Sequence, residues 1–238
     1  MGATLALLFT YITLGTVAGV IGIPYSMLVG DISRLYRIGM GITRLGLRAA
    51  RVRVRIEGLE QVPADRACIF MCNHVSNLDP PVVMPLIPGR SSVLLKKELM
   101  RIPVLGYAMH MAKFVPVERG SRREAAKASV NAAADCLRSG LHILVFPEGT
   151  RSPNGRLSTF KKGPFYLAQE TSAPIIPVAI AGTESMMQKG SLAIRPGVAQ
   201  VRFLPVVESS QYATREQLMQ AVRESIAAAL PPSMQPAE

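Results

Sequence analysis

"ACIFMCNHVSNLDP" (67–80) carries two signals side by side. From Ala67 to Cys72 every residue is apolar. A strand with one wet face would alternate, so this run reads as a strand buried on both sides. His74 stands two residues past it, and Asp79 five residues further on. A buried strand that opens into an Asn/Ser/Asp turn is where an open α/β sheet keeps its chemistry.

The rest of the chain supports an α/β domain with a mixed, centrally buried sheet. "RVRVRIEG" (51–58) alternates with period two, as a half-exposed strand does. "SSVLLK" (91–96), "KFVPV" (113–117), "LHILVF" (141–146), "PIIPVAIAG" (174–182) and "AQVRFLPVV" (199–207) are further strands. Helices fall between and after them. In 121–140, Ser121 and Glu124 make a capping box and Gly140 a stop. "GPFYLAQETS" (163–172) is a short helix, and 214–230 opens on a second capping box, Thr214 with Gln217. Strands alternating with helices predict a sheet covered on both faces. Chemistry in such a sheet belongs to loops at strand ends, within a domain spanning 51–230. Residues 231–238 read as a disordered tail.

The chain is 238 residues long and 49% hydrophobic, with a mean hydropathy of +0.25. The excess lies at the start. No charged side chain occurs from Met1 to Gly30, and about 20 apolar residues suffice to cross a bilayer core. A signal peptide is the competing reading, but it begins with a basic region, and here the first basic residue is Arg34. Residues 1–50 therefore read as an uncleaved membrane anchor followed by a basic amphipathic helix. The anchor is either one span or a hairpin-like element in one leaflet. In 31–52, Leu35, Ile38, Ile42, Leu45 and Leu47 recur at near-helical spacing among arginines. An ordinary surface helix of the domain gives the same pattern.

The formal net charge is +11, and residues 32–55 hold seven arginines and no acid. Arginines abutting an apolar segment mark the cytoplasmic side and attract anionic head groups. Nucleic acid is the weaker partner for them, since only 5% of residues are aromatic. Cys68 and Cys72 stand about 13 Å apart along a strand, beyond disulfide reach. With Cys136 they read as buried reduced thiols of a cytosolic domain.

His74 and Asp79 can act as a pair. A carboxylate on one imidazole nitrogen fixes the tautomer and leaves the other as a general base. That is a serine-protease pair without its serine, and a substrate can supply the hydroxyl. An incidental histidine in an Asn/Ser/Asp turn is the plain alternative. "VFPEGTRSPNG" (145–155) adds Glu148, Gly149, Thr150 and Arg151 after another buried strand. Glycine admits close backbone approach, and arginine matches phosphate in a fork. A surface ion pair on a hairpin loop is the plain alternative there. "FVPVERG" (114–120) brings Arg119 and "LLKKEL" (94–99) brings Lys96 and Lys97 to strand ends. A base and several cations at the strand ends of one sheet suit a phosphorylated substrate with a free hydroxyl.

With these blocks in hand, the sequence resembles the glycerolipid acyltransferases of the 1-acylglycerol-3-phosphate acyltransferase (lysophosphatidate acyltransferase) family. "NHVSNLDP" (73–80), "FVPVERG" (114–120), "FPEGTRSPNG" (146–155) and "APIIPVAIAGT" (173–183) match in order. The resemblance covers roughly 50–207. It implies a mixed-sheet α/β acyltransferase domain with an N-terminal helical membrane element. It also implies a reaction in which His74 takes the proton of a glycerol 2-hydroxyl, Asp79 orients His74, and the oxygen attacks a thioester.

The donor would be acyl-CoA or acyl carrier protein as co-substrate, with no cofactor and no metal. The acceptor, lysophosphatidate, would be held by Glu148, Gly149, Thr150 and Arg151, with Lys96 and Arg119 on its phosphate. Pro177 and its neighbours would shape the pocket. The product would be phosphatidate, at the cytoplasmic face of a bacterial inner membrane, with membrane phospholipids as partner and no nucleic acid. Glycerol 3-phosphate, a lyso-ornithine lipid or another lysophospholipid are alternative acceptors. A catalytically silent lipid-binding protein and a hydrolase using His74 and Asp79 as metal ligands are alternatives of other classes.

Overall fold

The computed structural model describes residues 1–117, 123–188 and 190–236. Among them, seven strands form one sheet: β1 (Val52–Glu57), β2 (Ile69–Cys72), β3 (Ser91–Lys96), β4 (Val115–Val117), β5 (His142–Val145), β6 (Ile175–Ala181) and β7 (Gly197–Phe203). Their order is β1-β7-β6-β2-β5-β3-β4. Each neighbouring pair is parallel except β6 with β7. The mixed sheet expected from the sequence is present, and each expected strand is in it.

The apolar runs are continuous because the central strands are covered twice. β2 and β6 are buried at every position. Their residues alternate between two cores. Phe70, Leu144, Ile176, Val178 and Ile180 face one side. Ile69, Met71, Ile143, Val145 and Ile175 face the other. The helices supply the outer layers: α1 (Gly2–Val29), α2 (Ser33–Ala49), α3 (Asp79–Val83), α4 (Leu105–Met111), α5 (Arg123–Arg138), α6 (Gly163–Thr171), α7 (Thr183–Met186) and α8 (Arg215–Ala229). Leu7, Leu35, Leu47 and Val82, from α1, α2 and α3, complete the first core. Ala134, Leu137, Phe165, Leu167, Leu218 and Val222, from α5, α6 and α8, complete the second.

The Thr214–Gln217 capping box opens α8 as expected. Ser121, half of the other expected box, lies outside the described residues. The tail departs from expectation. Instead of a disordered segment after 230, Pro232–Met234 forms a 3-10 turn and Met234 is buried. Residues 237 and 238 lie outside the described residues.

The N-terminal element is less of an appendage than its composition suggested. α1 runs unbroken through Pro24 and is docked along the domain. Near its start, Thr4 Oγ1 accepts the Ile194 N–H at 2.8 Å. At Gly19 the helix meets Val104 so closely that a Cβ would collide with the valine side chain. Near its end, Tyr107 Oη lies 3.7 Å from Met27 Sδ. The outward face stays apolar and open, with Phe9, Ile12, Val20 and Leu28 exposed. α2 divides its apolar stripe. Leu35, Tyr36 and Leu47 are buried against the domain, while Ile38 and Leu45 are exposed. Its arginines, Arg34, Arg37, Arg44 and Arg48, are exposed.

Candidate active site

β2, β5, β3 and β4 are adjacent and parallel, so their C-terminal ends open on one edge of the sheet. That edge receives His74 after β2, Glu148 after β5 and Lys96 at the end of β3. β6 is parallel to β2 and brings Thr183 to the same edge. The expected gathering of residues at strand ends is therefore built by topology.

Asn73 fixes the exit from β2. Its Nδ2 donates to the Ile180 carbonyl at 2.9 Å, and its Oδ1 accepts the Ile180 N–H at 2.8 Å. The side chain thus pairs with β6 as another backbone unit would. His74 follows, with its backbone held at both polar groups. Its N–H donates to Glu148 Oε1 at 2.7 Å, and its carbonyl accepts the Ser152 N–H at 2.8 Å. The imidazole lies on the Phe146 ring, centroids 4.3 Å apart and planes 29° apart.

The Nδ1 of His74 is 2.8 Å from Asp79 Oδ2. Asp79 opens α3 and is fully buried. Oδ2 also accepts the N–H groups of Val75 and Ser76 at 2.7 and 2.8 Å, and Oδ1 accepts the Thr183 hydroxyl at 2.6 Å. Four donors converge on one carboxylate, which fixes its rotamer and aims it at the ring. With Nδ1 engaged, Nε2 is the nitrogen that can take a proton. The His74 side chain keeps 12% exposure, enough for a reacting group to reach one edge.

The Ser76 hydroxyl and the three cysteines are engaged or held protonated. The Ser76 hydroxyl is buried and donates to the Met187 carbonyl at 2.8 Å. The cysteines are free and buried. Burial pushes the Cys68 thiol up to about 11 and raises those of Cys72 and Cys136. A thiol held protonated is a poor nucleophile. His142 is half-buried, its Nδ1 accepts the Cys68 N–H at 3.0 Å, and burial lowers its proton affinity. It sits at the start of β5, whereas His74 follows the end of the parallel β2, so the two histidines belong to opposite sheet edges.

Glu148 is 3% exposed. Besides the His74 N–H, it accepts the Ser158 N–H on Oε2 at 3.0 Å. Both oxygens hold backbone, so the residue braces the β2 exit against the loop that follows β5. Gly149 then turns the chain at φ 71°, and a Cβ there would lie 2.7 Å from the Lys161 side chain. Thr150 is exposed and Arg151 half-buried, past that turn. Lys96 is 52% exposed and 3.6 Å from Glu98. Arg119 lies outside the described residues. Pro177 is buried inside β6 and paired with Met71, away from the strand end.

A family model described as Acyltransferase matches residues 53–181. This chain is a member of the acyltransferase family. The matched segment contains His74, Asp79 and the whole loop 146–155. The chain is 32% identical over 159 residues to the 1-acyl-sn-glycerol-3-phosphate acyltransferase of Cocos nucifera, an alignment covering 67% of this chain and 51% of that protein. It is 31% identical over 156 residues to the human 1-acyl-sn-glycerol-3-phosphate acyltransferase alpha, covering 66% and 55%. The chain thus spans about half the length of the curated relatives it matches. Over nearly its whole length it superposes on the crystal structure of the 1-acyl-sn-glycerophosphate (LPA) acyltransferase from Thermotoga maritima. The TM-score there is 0.80 at 28% identity, covering 95% of this chain and 92% of that one.

Burial gives the chain a pH-dependent element at Glu148. Desolvation raises its carboxyl above the ordinary 4.5, against the lowering effect of the His74 and Ser158 hydrogen bonds. The folded state then holds this proton more tightly than the unfolded chain. The group's contribution to stability is full below the unfolded value and is lost as pH rises through the raised one. Glu148→Gln removes that linkage and adds a pH-independent cost, because one amide N–H2 must face a backbone N–H. The stability of the wild type relative to Glu148→Gln, from thermal unfolding at about pH 4 and pH 7, should therefore fall toward pH 7. A difference that grows instead contradicts the raised carboxyl.

Proposed function

We propose that this acyltransferase transfers a fatty acyl chain from acyl-CoA or acyl carrier protein to the 2-hydroxyl of 1-acylglycerol 3-phosphate, making phosphatidate. The observation that carries the reading is the 2.8 Å contact between His74 Nδ1 and a fully buried Asp79. It is a general-base pair without a hydroxyl of its own. The acceptor brings that hydroxyl. His74 Nε2 takes its proton as the oxygen attacks the thioester carbonyl. The tetrahedral intermediate collapses, the C–S bond breaks, and the thiolate leaves with the proton returned by His74. Asp79 stabilises the imidazolium in between. The names of the plant, human and Thermotoga relatives favour lysophosphatidate as the acceptor.

In this reading the Gly149–Arg151 turn receives the acceptor phosphate, with Lys96 and Arg119 as further cations. Arg151→Ala is then expected to raise the acceptor KM by about 10- to 100-fold, the worth of a hydrogen bond to a charged group. The donor KM should change little. Steady-state kinetics with each substrate varied separately measures both, and equal increases would remove Arg151 from the phosphate site.

α1 places the protein on a lipid surface. It is docked to the domain from Thr4 to Met27, a length of about 35 Å at 1.5 Å per residue. Crossing a bilayer would carry all those contacts into hydrocarbon. The better fit is a helix lying in one leaflet with its open apolar face down. The exposed α2 arginines then meet anionic head groups at the cytoplasmic face.

A further inference from the structure

We propose that residues 231–236 are a strap that sets the position of the active-site loop 148–158, with Met234 as its positioning residue. Segment 231–236 is built into the domain. The Met234 N–H donates to the Pro231 carbonyl at 2.8 Å, closing the 3-10 turn. The Gln235 side-chain amide donates to the Leu230 carbonyl at 3.1 Å, satisfying an acceptor just past the end of α8. Folded back in this way, the Met234 side chain is 4% exposed and lies in one cluster with Leu157, Phe160 and Phe165.

The backbone of Met234 does the second half. Its carbonyl accepts the Leu157 N–H at 2.8 Å. The next donor along the chain, the Ser158 N–H, goes to Glu148 Oε2 at 3.0 Å. Glu148 Oε1 in turn takes the N–H of His74 at 2.7 Å. A short series of hydrogen bonds therefore runs from the tail, through the return limb of the loop, to the backbone of the general base. The outgoing limb is held separately, by Ser152 N–H on the His74 carbonyl. Gly149, Thr150 and Arg151 lie between Glu148 and Ser152, the two residues that bond the backbone of His74. Residues 150–160 contain no helix or strand, so bonds of this kind fix where they lie. Loss of the strap frees the return limb and loosens the Ser158 bond on Glu148, at the base of the acceptor turn, while β2 and Asp79 keep their own partners.

The consequence for acceptor binding rests on the function proposed above, so the test has one arm that does not need substrate. Hydrogen–deuterium exchange is compared for the wild type, a chain ending at Leu230, Met234→Ala, Met234→Asp and Met234→Leu, in detergent or lipid nanodiscs. Exchange of the peptide 153–160 should rise at least about tenfold in the truncated, Ala and Asp forms, as local opening becomes easier. Peptides from β2 and β5 should keep their protection, and Met234→Leu should match the wild type. In the kinetic arm, the acceptor KM should rise about tenfold for Met234→Ala with the donor KM unchanged, since small misplacements cost binding geometry. Unchanged exchange at 153–160 overturns the strap. Increased exchange with both KM values unchanged overturns its positioning role. No transfer to lysophosphatidate in the wild type, with exchange raised as expected, overturns the acceptor assignment and leaves the strap standing.

Discussion

His74→Ala is expected to lower turnover by roughly 10²–10⁴-fold, the usual worth of a positioned general base, with lipid binding and the fold retained. The fold should survive because the ring does little structural work. It rests on one face of Phe146 and donates to one of the four bonds on Asp79. Val75, Ser76 and Thr183 still satisfy that carboxylate when the imidazole is gone. The backbone groups of residue 74 keep their bonds to Glu148 and Ser152. Acyl transfer, vesicle binding and thermal midpoint measured on one preparation separate the effects. Near-normal turnover would remove His74 from the chemistry.

Asp79→Asn should be as damaging to rate and more damaging to stability. Four donors point at the carboxylate, and an amide offers one acceptor oxygen and an N–H2 group. The Thr183 hydroxyl can turn and accept, but an N–H2 group on the Oδ2 side faces the two buried N–H groups of Val75 and Ser76, at a cost of about 1–3 kcal/mol. If the amide N–H2 turns to the ring, it donates to Nδ1 and drives the proton onto Nε2, the nitrogen that must act as base. The same exchange in serine-protease triads costs about 10⁴ in rate through the wrong tautomer. We expect a loss of about 10³–10⁴-fold in turnover, a lowered thermal midpoint and an Nε2–H tautomer by ¹⁵N NMR of the imidazole. A variant with normal tautomer and rate would show that the contact is incidental.

The sheet was legible in the sequence where strands are covered on both faces. The runs 67–72, 141–146 and 174–182 have no polar position except His142 to interrupt them, and they became β2, β5 and β6 at the centre. His74 and Asp79 were legible because five residues and one turn join them. The partners that hold them were not, because each comes from far along the chain. Thr183 reaches Asp79 across 104 residues, and Ile180 pairs with Asn73 across 107. Glu148 was visible as a motif residue, but its bracing role depends on Ser158 and His74 meeting at the sheet edge.

The N-terminus and the tail were hidden for the same reason. Composition marks 1–30 as apolar, yet only the contacts of Thr4 with Ile194 and Gly19 with Val104 reveal a helix lying along the domain. The tail is polar and proline-rich, which reads as disorder. A single buried methionine, whose partner Leu157 belongs to the active-site loop, reverses that.

The most direct test of the account is a competition among acceptors on anionic vesicles. Lysophosphatidate, glycerol 3-phosphate, a lyso-ornithine lipid and lysophosphatidylcholine are supplied together, with acyl-CoA or acyl carrier protein thioester as donor. Products are resolved by lipid mass spectrometry with positional analysis. The account predicts phosphatidate carrying the new acyl chain at position 2, formed by the wild type and absent with His74→Ala. Acylation of a different acceptor in preference, or phosphatidate formed equally by both proteins, would contradict it.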